Sequence, residues 1–147
     1  MTSLSSRCFD SRIEPCANLC AWIEHFCEKT KTSAHNTWQL TLVLEELFAN
    51  SVKHGYPGLQ HKDNLSVWPV WIELTHSAEG VHVQYEDESF EFNPLENVNP
   101  PDYSGPPESW RIGGLGLSMV AGIATNMRYE RIANRNRLSL TLPAKEK

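Results

Sequence analysis

Pro94, Pro100, Pro101, Pro106 and Pro107 all fall between Asn93 and Ser109. Proline donates no backbone hydrogen bond and breaks a helix interior, so this stretch is neither a helix nor an inner strand and reads as one long loop. A loop of that length inside a compact domain is usually functional or disordered. It also divides the periodic segments into two groups, and chemistry is to be sought on both sides of it.

On the N-terminal side, Ser3 to Asp10 alternates weakly and predicts an edge strand. Cys16, Leu19, Cys20, Ile23, Phe26 and Cys27 recur at helical spacing within a helix predicted over Ile13 to Lys29, with Pro15 in its first turn. A second helix runs from about Asn36 to His54 and is ended by Gly55 and Pro57. Pro69 opens a strand over Val70 to Thr75, which turns at Ala78-Glu79-Gly80 into Val81 to Glu86. Beyond the loop come a third helix, Leu115 to Ala124, and a hairpin of Met127 to Ile132 with Arg137 to Leu142 around Ala133-Asn134-Arg135. Strands and helices that do not alternate strictly predict an α+β fold, a two-layer sandwich whose mixed, largely antiparallel sheet carries helices on one face. The 147 residues make a single domain, 1–147, able to bury a core without a disulfide or metal staple.

Charge narrows the function. With 13 basic and 18 acidic residues the net charge is −5, which argues against a nonspecific nucleic-acid coat protein. No apolar run reaches the length of a membrane span, and Met1 to Asp10 has no charged-then-apolar signal pattern. All four cysteines lie in the first 27 residues, a poor disulfide framework, so a reducing cytoplasm is expected. Between Lys62 and Arg111 there is no Lys or Arg, whereas Glu73, Glu86, Asp87, Glu88 and Glu91 all lie there. Most of these acids read as a solvated face. An anion bound near this segment would have to be neutralised by a metal ion or by backbone N–H groups.

Three features can carry chemistry. Glu46, Asn50 and His54 are spaced i, i+4, i+8 and form one polar stripe on an otherwise apolar helix. A Glu can accept a proton while an Asn oxygen one turn away coordinates a hard cation such as Mg²⁺, although the wet face of an amphipathic helix has the same pattern. Glu86-Asp87-Glu88-Ser89 at a strand end can accept from an exocyclic amine or simply support a turn. Arg111-Ile112-Gly113-Gly114-Leu115-Gly116-Leu117 leads into a helix and suits either an anion cradle or a glycine-rich hinge. It has neither the Lys-Ser/Thr of a P-loop nor the spacing of a dinucleotide fingerprint.

Taken together these features resemble the N, G1 and G2 boxes of the GHKL ATPases, the superfamily of gyrase and the histidine kinases. The likeness is greatest to its bacterial anti-sigma-factor serine-kinase branch. It is carried by Glu46-x-x-x-Asn50-x-x-x-His54-Gly55-Tyr56, then Asp87-x-Ser89-x-x-Phe92-Asn93-Pro94, then Gly113-Gly114-Leu115-Gly116-Leu117. The ending Tyr129-x-Arg131…Asn136-x-Leu138-x-Leu140 is similar too, so the resemblance spans about residues 10 to 142. It implies a Bergerat ATP-binding sandwich in which Glu46 is the general base, Asn50 holds Mg²⁺ and Asp87 accepts from the adenine amine. The backbone of Gly113, Gly114, Leu115 and Gly116, with Leu117 completing the box, would wrap the phosphates under an ATP lid at about 93–112. His54 and Ser89 complete the nucleotide-binding boxes, and Lys53 and Arg111 would add positive charge. Ser89 stands where the second box usually has Gly, and is small enough for nucleotide binding to persist.

The resemblance implies an ATP- and Mg²⁺-dependent serine/threonine kinase acting on an anti-sigma-factor antagonist of the STAS type, with a sigma factor as sequestered partner and a homodimer as assembly. Neither direct nucleic-acid contact nor a membrane is implied. Between Arg12 and Lys29 the first helix has no basic residue, so no partner-contact residue is carried over. The rival is a non-catalytic, nucleotide-responsive module that sequesters a regulator. A detached histidine-kinase catalytic domain would be expected to follow a helical dimerisation segment with a phospho-acceptor His.

Other clusters read as structure. Cys16, Cys20, His25 and Cys27 contain no Cys-x-x-Cys pair, and the three cysteines fall on the apolar helix face, which predicts core packing. Arg128, Arg131, Arg135 and Arg137 read as solvated charge on an edge hairpin rather than as an RNA contact.

Overall fold

The computed structural model describes residues 2–59, 66–95 and 121–144. Its strands are β1 (Ser3–Asp10), β2 (Pro69–Ser77), β3 (Gly80–Asp87), β4 (Thr125–Ile132) and β5 (Arg135–Pro143). Its helices are α1 (Cys16–Thr30) and α2 (Ala34–Asn50), the latter running into a π-helical turn over Ser51–Gly55. The strands form one sheet in the order β1-β2-β3-β5-β4. Every pairing is antiparallel, so the α+β expectation stands while the mixed character expected of the sheet is absent among the described strands.

Period-two alternation places Phe9 of β1, Val70, Ile72 and Leu74 of β2, Val81, Val83 and Tyr85 of β3, and Leu138, Leu140 and Leu142 of β5 in the core. Against them pack Leu19, Ile23, Phe26 and Cys27 of α1 and Leu40, Val43, Leu44, Leu47 and Phe48 of α2. Fully burying one such aliphatic or aromatic side chain is worth about 1.5–3 kcal/mol, so this single layer of contacts holds the helices on the sheet. Pro15 caps α1 instead of entering its first turn, and Lys31 closes it in the left-handed region at φ 57°. Ser33 caps α2 by accepting from the Asn36 amide at 3.1 Å. Asn36 Nδ2 in turn donates to Pro143 O at 3.1 Å and fastens α2 to the end of β5.

Two sequence expectations change here. The C-terminal hairpin is not wholly at the edge, because β5 lies between β3 and β4. Beyond Asn136 its inward row is all leucine, whereas β4 offers only the partly buried Met127 and Tyr129, so β5 takes the inner place. Its arginines are therefore not merely solvated. Arg137 Nε lies 2.6 Å from Glu86 Oε1, and the Arg135 guanidinium lies 3.5 Å over the Trp71 ring. The cysteines of α1 also divide: Cys27 is core, but Cys20 is half-buried on the flank of the apolar stripe and Cys16 is exposed in the first turn.

The β4–β5 connection is a two-residue turn with Ala133 at φ 50° and Asn134 at φ 66°, the left-handed pair of a type I′ hairpin. Of the third helix expected from the sequence, residues 121–123 are helical and the rest lies outside the described residues. No helix among the described residues is long and apolar enough to cross a membrane.

Candidate functional site

The inward row of β3 ends on a charge. Asp87 follows Val81, Val83 and Tyr85 on the helix-facing side, and the register sets it opposite Asn136 of β5. Cross-strand partners share a face, so an acid and an amide meet where the apolar core stops. Asn136 Nδ2 donates to Asp87 Oδ1 at 2.9 Å and to Phe90 O at 2.9 Å. Its Oδ1 accepts from Tyr129 OH at 2.6 Å and from the Phe92 amide at 3.2 Å. One side chain thereby holds the strand end and the segment that follows it.

From the other layer, Ser51 donates to Asp87 Oδ2 at 2.6 Å. A serine hydroxyl has one proton, so Ser51 can only accept from the Tyr85 hydroxyl 2.7 Å away, whose own proton is shared between Ser51 and the Leu47 carbonyl at 3.1 Å. Burial raises the Tyr85 phenol well above its ordinary value and keeps it a neutral donor. Asp87 Oδ1 is also reached by the Ser89 amide at 3.3 Å and the Ser89 hydroxyl at 2.9 Å. Oδ1 thus has three donors and Oδ2 one, which leaves Oδ2 able to accept one more N–H. An acceptor with spare capacity of this kind can take the N–H of an exocyclic amine.

Helix α2 does not continue regularly to His54 as the sequence suggests. It widens at Ser51, where the Tyr56 amide reaches the Ser51 carbonyl at 2.9 Å in an i→i+5 bond. Such π-turns recur at functional sites. Here it buries Ser51 and Gly55 while leaving Lys53 and His54 exposed. Tyr56 then ties the π-turn to the start of β2 and the end of β3: it stacks on Trp68 at 5.5 Å, donates to Pro69 O and accepts from the Glu88 amide at 2.8 Å. The Arg131 guanidinium donates to Ser89 O at 2.9 Å.

Glu46 and Asn50 lie one turn apart on α2, both half-buried. Glu46 Oε1 is shut off from solvent and has no hydrogen-bond partner among the described residues. An unpaired buried carboxylate oxygen costs stability, so packing alone does not account for it. Desolvation holds the Glu46 carboxyl above its ordinary value, and the Lys53 charge pulls partly back. A carboxylate so placed can take a proton from a hydroxyl near neutral pH. The Asn50 amide oxygen beside it suits a hard cation.

Of the residues singled out in the sequence, Asp87 and Ser89 meet directly, and Glu46, Asn50, Lys53 and His54 lie on α2 and its π-turn. Arg111, Gly113, Gly114, Leu115, Gly116 and Leu117 lie outside the described residues, as does the expected lid from residue 96 onward. Sequence reasoning gave no role to Ser51, Tyr85 or Asn136. A serine among apolar helix positions and a tyrosine two residues before Asp87 on the same strand face were the available signals.

The family model for the histidine kinase-like ATPase domain matches residues 9–142 of the chain. Comparison with curated proteins gives no match.

Proposed function

The chain belongs to the family of histidine kinase-like ATPase domains, and from that premise we propose that it is an ATP- and Mg²⁺-dependent protein serine/threonine kinase. Membership makes it an ATP-binding, GHKL-type domain. The observation that carries the kinase reading is Glu46, whose Oε1 is buried and unpaired among the described residues. A domain that only binds nucleotide has no use for such a base.

The residues fit the groups the reaction needs. Asp87 Oδ2 has acceptor capacity for the adenine amine, and Asn50 offers an oxygen to Mg²⁺, with Lys53 nearby on the π-turn. Bound Mg²⁺ would neutralise and orient the phosphates, which is most of what phosphoryl transfer demands. Glu46 would take the proton of the attacking seryl hydroxyl as its oxygen bonds to the γ-phosphorus. The bond to the β–γ bridging oxygen breaks, and ADP leaves.

The reading extends to an anti-sigma factor that works by partner switching in the cytoplasm. Its substrate would be an antagonist protein of the STAS type, its sequestered partner a sigma factor and its assembly a homodimer. These assignments rest on the likeness of the Glu46–Tyr56 and Asp87–Pro94 segments to the anti-sigma-factor kinases. One observation favours the rival binding module: Ser89 puts its own hydroxyl on Asp87 Oδ1, where the boxes usually have Gly. Incubation with γ-labelled ATP, Mg²⁺ and a candidate antagonist decides between them. Phosphate on a serine of the antagonist is expected, and nucleotide binding without transfer to any antagonist would favour the module.

A further inference from the structure

Helix α1 begins with Cys16, and Cys20 follows four residues later, which stacks the two side chains one turn apart. Glu45 meets them from α2, where its Oε1 accepts from the Cys20 thiol at 3.1 Å. Two sulfurs and a carboxylate oxygen, one from each of Cys16, Cys20 and Glu45, lie within 4.8 Å of one another. Cys16 is exposed and Cys20 half-buried, so an ion from solvent can reach them. The Cys20 thiol proton is held between the sulfur and the Glu45 carboxylate. A proton held in that position is the one a metal ion displaces.

We propose that Cys16, Cys20 and Glu45 bind a thiophilic divalent cation, Zn²⁺ above all, which staples α1 to α2. Zinc sits about 2.3 Å from sulfur and about 2.0–2.2 Å from a carboxylate oxygen, which sets tetrahedral ligands about 3.5–3.8 Å apart. Ligand atoms already within 4.8 Å reach that arrangement by side-chain rotation. Three protein ligands leave a fourth position for water. Two sulfurs select against Mg²⁺, so this site is chemically separate from the oxygen donors of Asn50 further along the same helix. Glu45 precedes Glu46, and an occupied site would brace the turn that carries the buried carboxylate.

The probe is Co²⁺ added to metal-free full-length protein, because thiolate–Co²⁺ complexes show sulfur-to-metal charge-transfer absorption and oxygen-bound Co²⁺ does not. The band should saturate at one equivalent and be bleached by one equivalent of Zn²⁺. Cys16→Ser and Cys20→Ser should each abolish it, and Cys8→Ser on β1 should leave it intact. Glu45→Gln should weaken Co²⁺ binding roughly tenfold or more, since even partners outside the coordination shell are worth that much. Zn²⁺ should raise the Tm of the wild type and not that of Cys20→Ser, whose fold is checked by circular dichroism. Absence of a charge-transfer band at one equivalent, or a band that survives both Cys16→Ser and Cys20→Ser, overturns the site.

Discussion

Gly55 and Ser89 face each other so closely that a Cβ added to Gly55 would lie 2.7 Å from Ser89 Oγ and 2.8 Å from Ser89 Cβ. The end of the π-turn and the segment after β3 therefore fit together only because one partner has no side chain. Gly55→Ala should destabilise the domain by about 1–3 kcal/mol, the usual cost of overpacking. Adding Ser89→Gly should recover most of that loss. Urea denaturation of the two single variants and the double variant measures the coupling, and simple additivity would contradict the contact.

Asn136 is the next test, since its amide bonds Asp87, Phe90, Tyr129 and Phe92 at once. Asn136→Ala leaves Asp87 Oδ1 short of a donor and frees the segment after β3. A loss of about 1–3 kcal/mol in stability is expected, together with weaker nucleotide binding. Calorimetry with an ATP analogue checks the second part; unchanged affinity would separate this network from the nucleotide site.

Glu46→Gln keeps the shape of the side chain and removes the base. Phosphoryl transfer should fall about 10²- to 10⁴-fold while nucleotide binding persists. Unchanged transfer would refute the role given to Glu46.

The same substitution has a thermodynamic signature. Burial raises the folded value of Glu46 above the unfolded one, so the folded chain binds more protons across the window between them. Its contribution to stability is therefore full below the unfolded value of about 4 and is lost as pH rises through the raised folded value. Glu46→Gln removes this loss. Its Tm should exceed that of the wild type at neutral pH, and the gap should close below about pH 4. A variant no more stable at pH 7 would mean that Glu46 is paired after all.

Asn50→Ala should greatly weaken ATP binding in the presence of Mg²⁺, because it removes the oxygen ligand offered by α2. Equal ATP affinity with and without Mg²⁺ in the wild type would sink the assignment of a metal to Asn50.

Much of the architecture was legible in the sequence. The β2–β3 hairpin and both inner rows follow from period-two alternation, and Gly55 and Pro57 mark the end of α2 and its π-turn within a few residues. Strand order was only partly legible: the leucine row of Leu138, Leu140 and Leu142 suits an inner strand, but nothing local names β3 as its neighbour. The π-turn was hidden for a similar reason: the i, i+4, i+8 spacing of Glu46, Asn50 and His54 is read as a regular helix, and one widened turn leaves no mark on it. In the site, residue type pointed to Glu46 and Asp87. Ser51, Tyr85 and Asn136 acquire their roles only through partners 36, 34 and 49 residues away.

That last separation bears on when the chain becomes competent. Asp87 and Asn136 come together only after β5 has found β3, and pairings this distant in sequence are slow because the intervening chain must first be drawn closed. A partly folded chain with α1, α2 and the β2–β3 hairpin in place would lack the finished acceptor. Nucleotide that recognises Asp87 would then bind the completed sheet alone and pull the population toward it, by about 2.7 kcal/mol at a hundred times Kd. The amount of nucleotide in the cell would thus help decide how much of this protein stays folded.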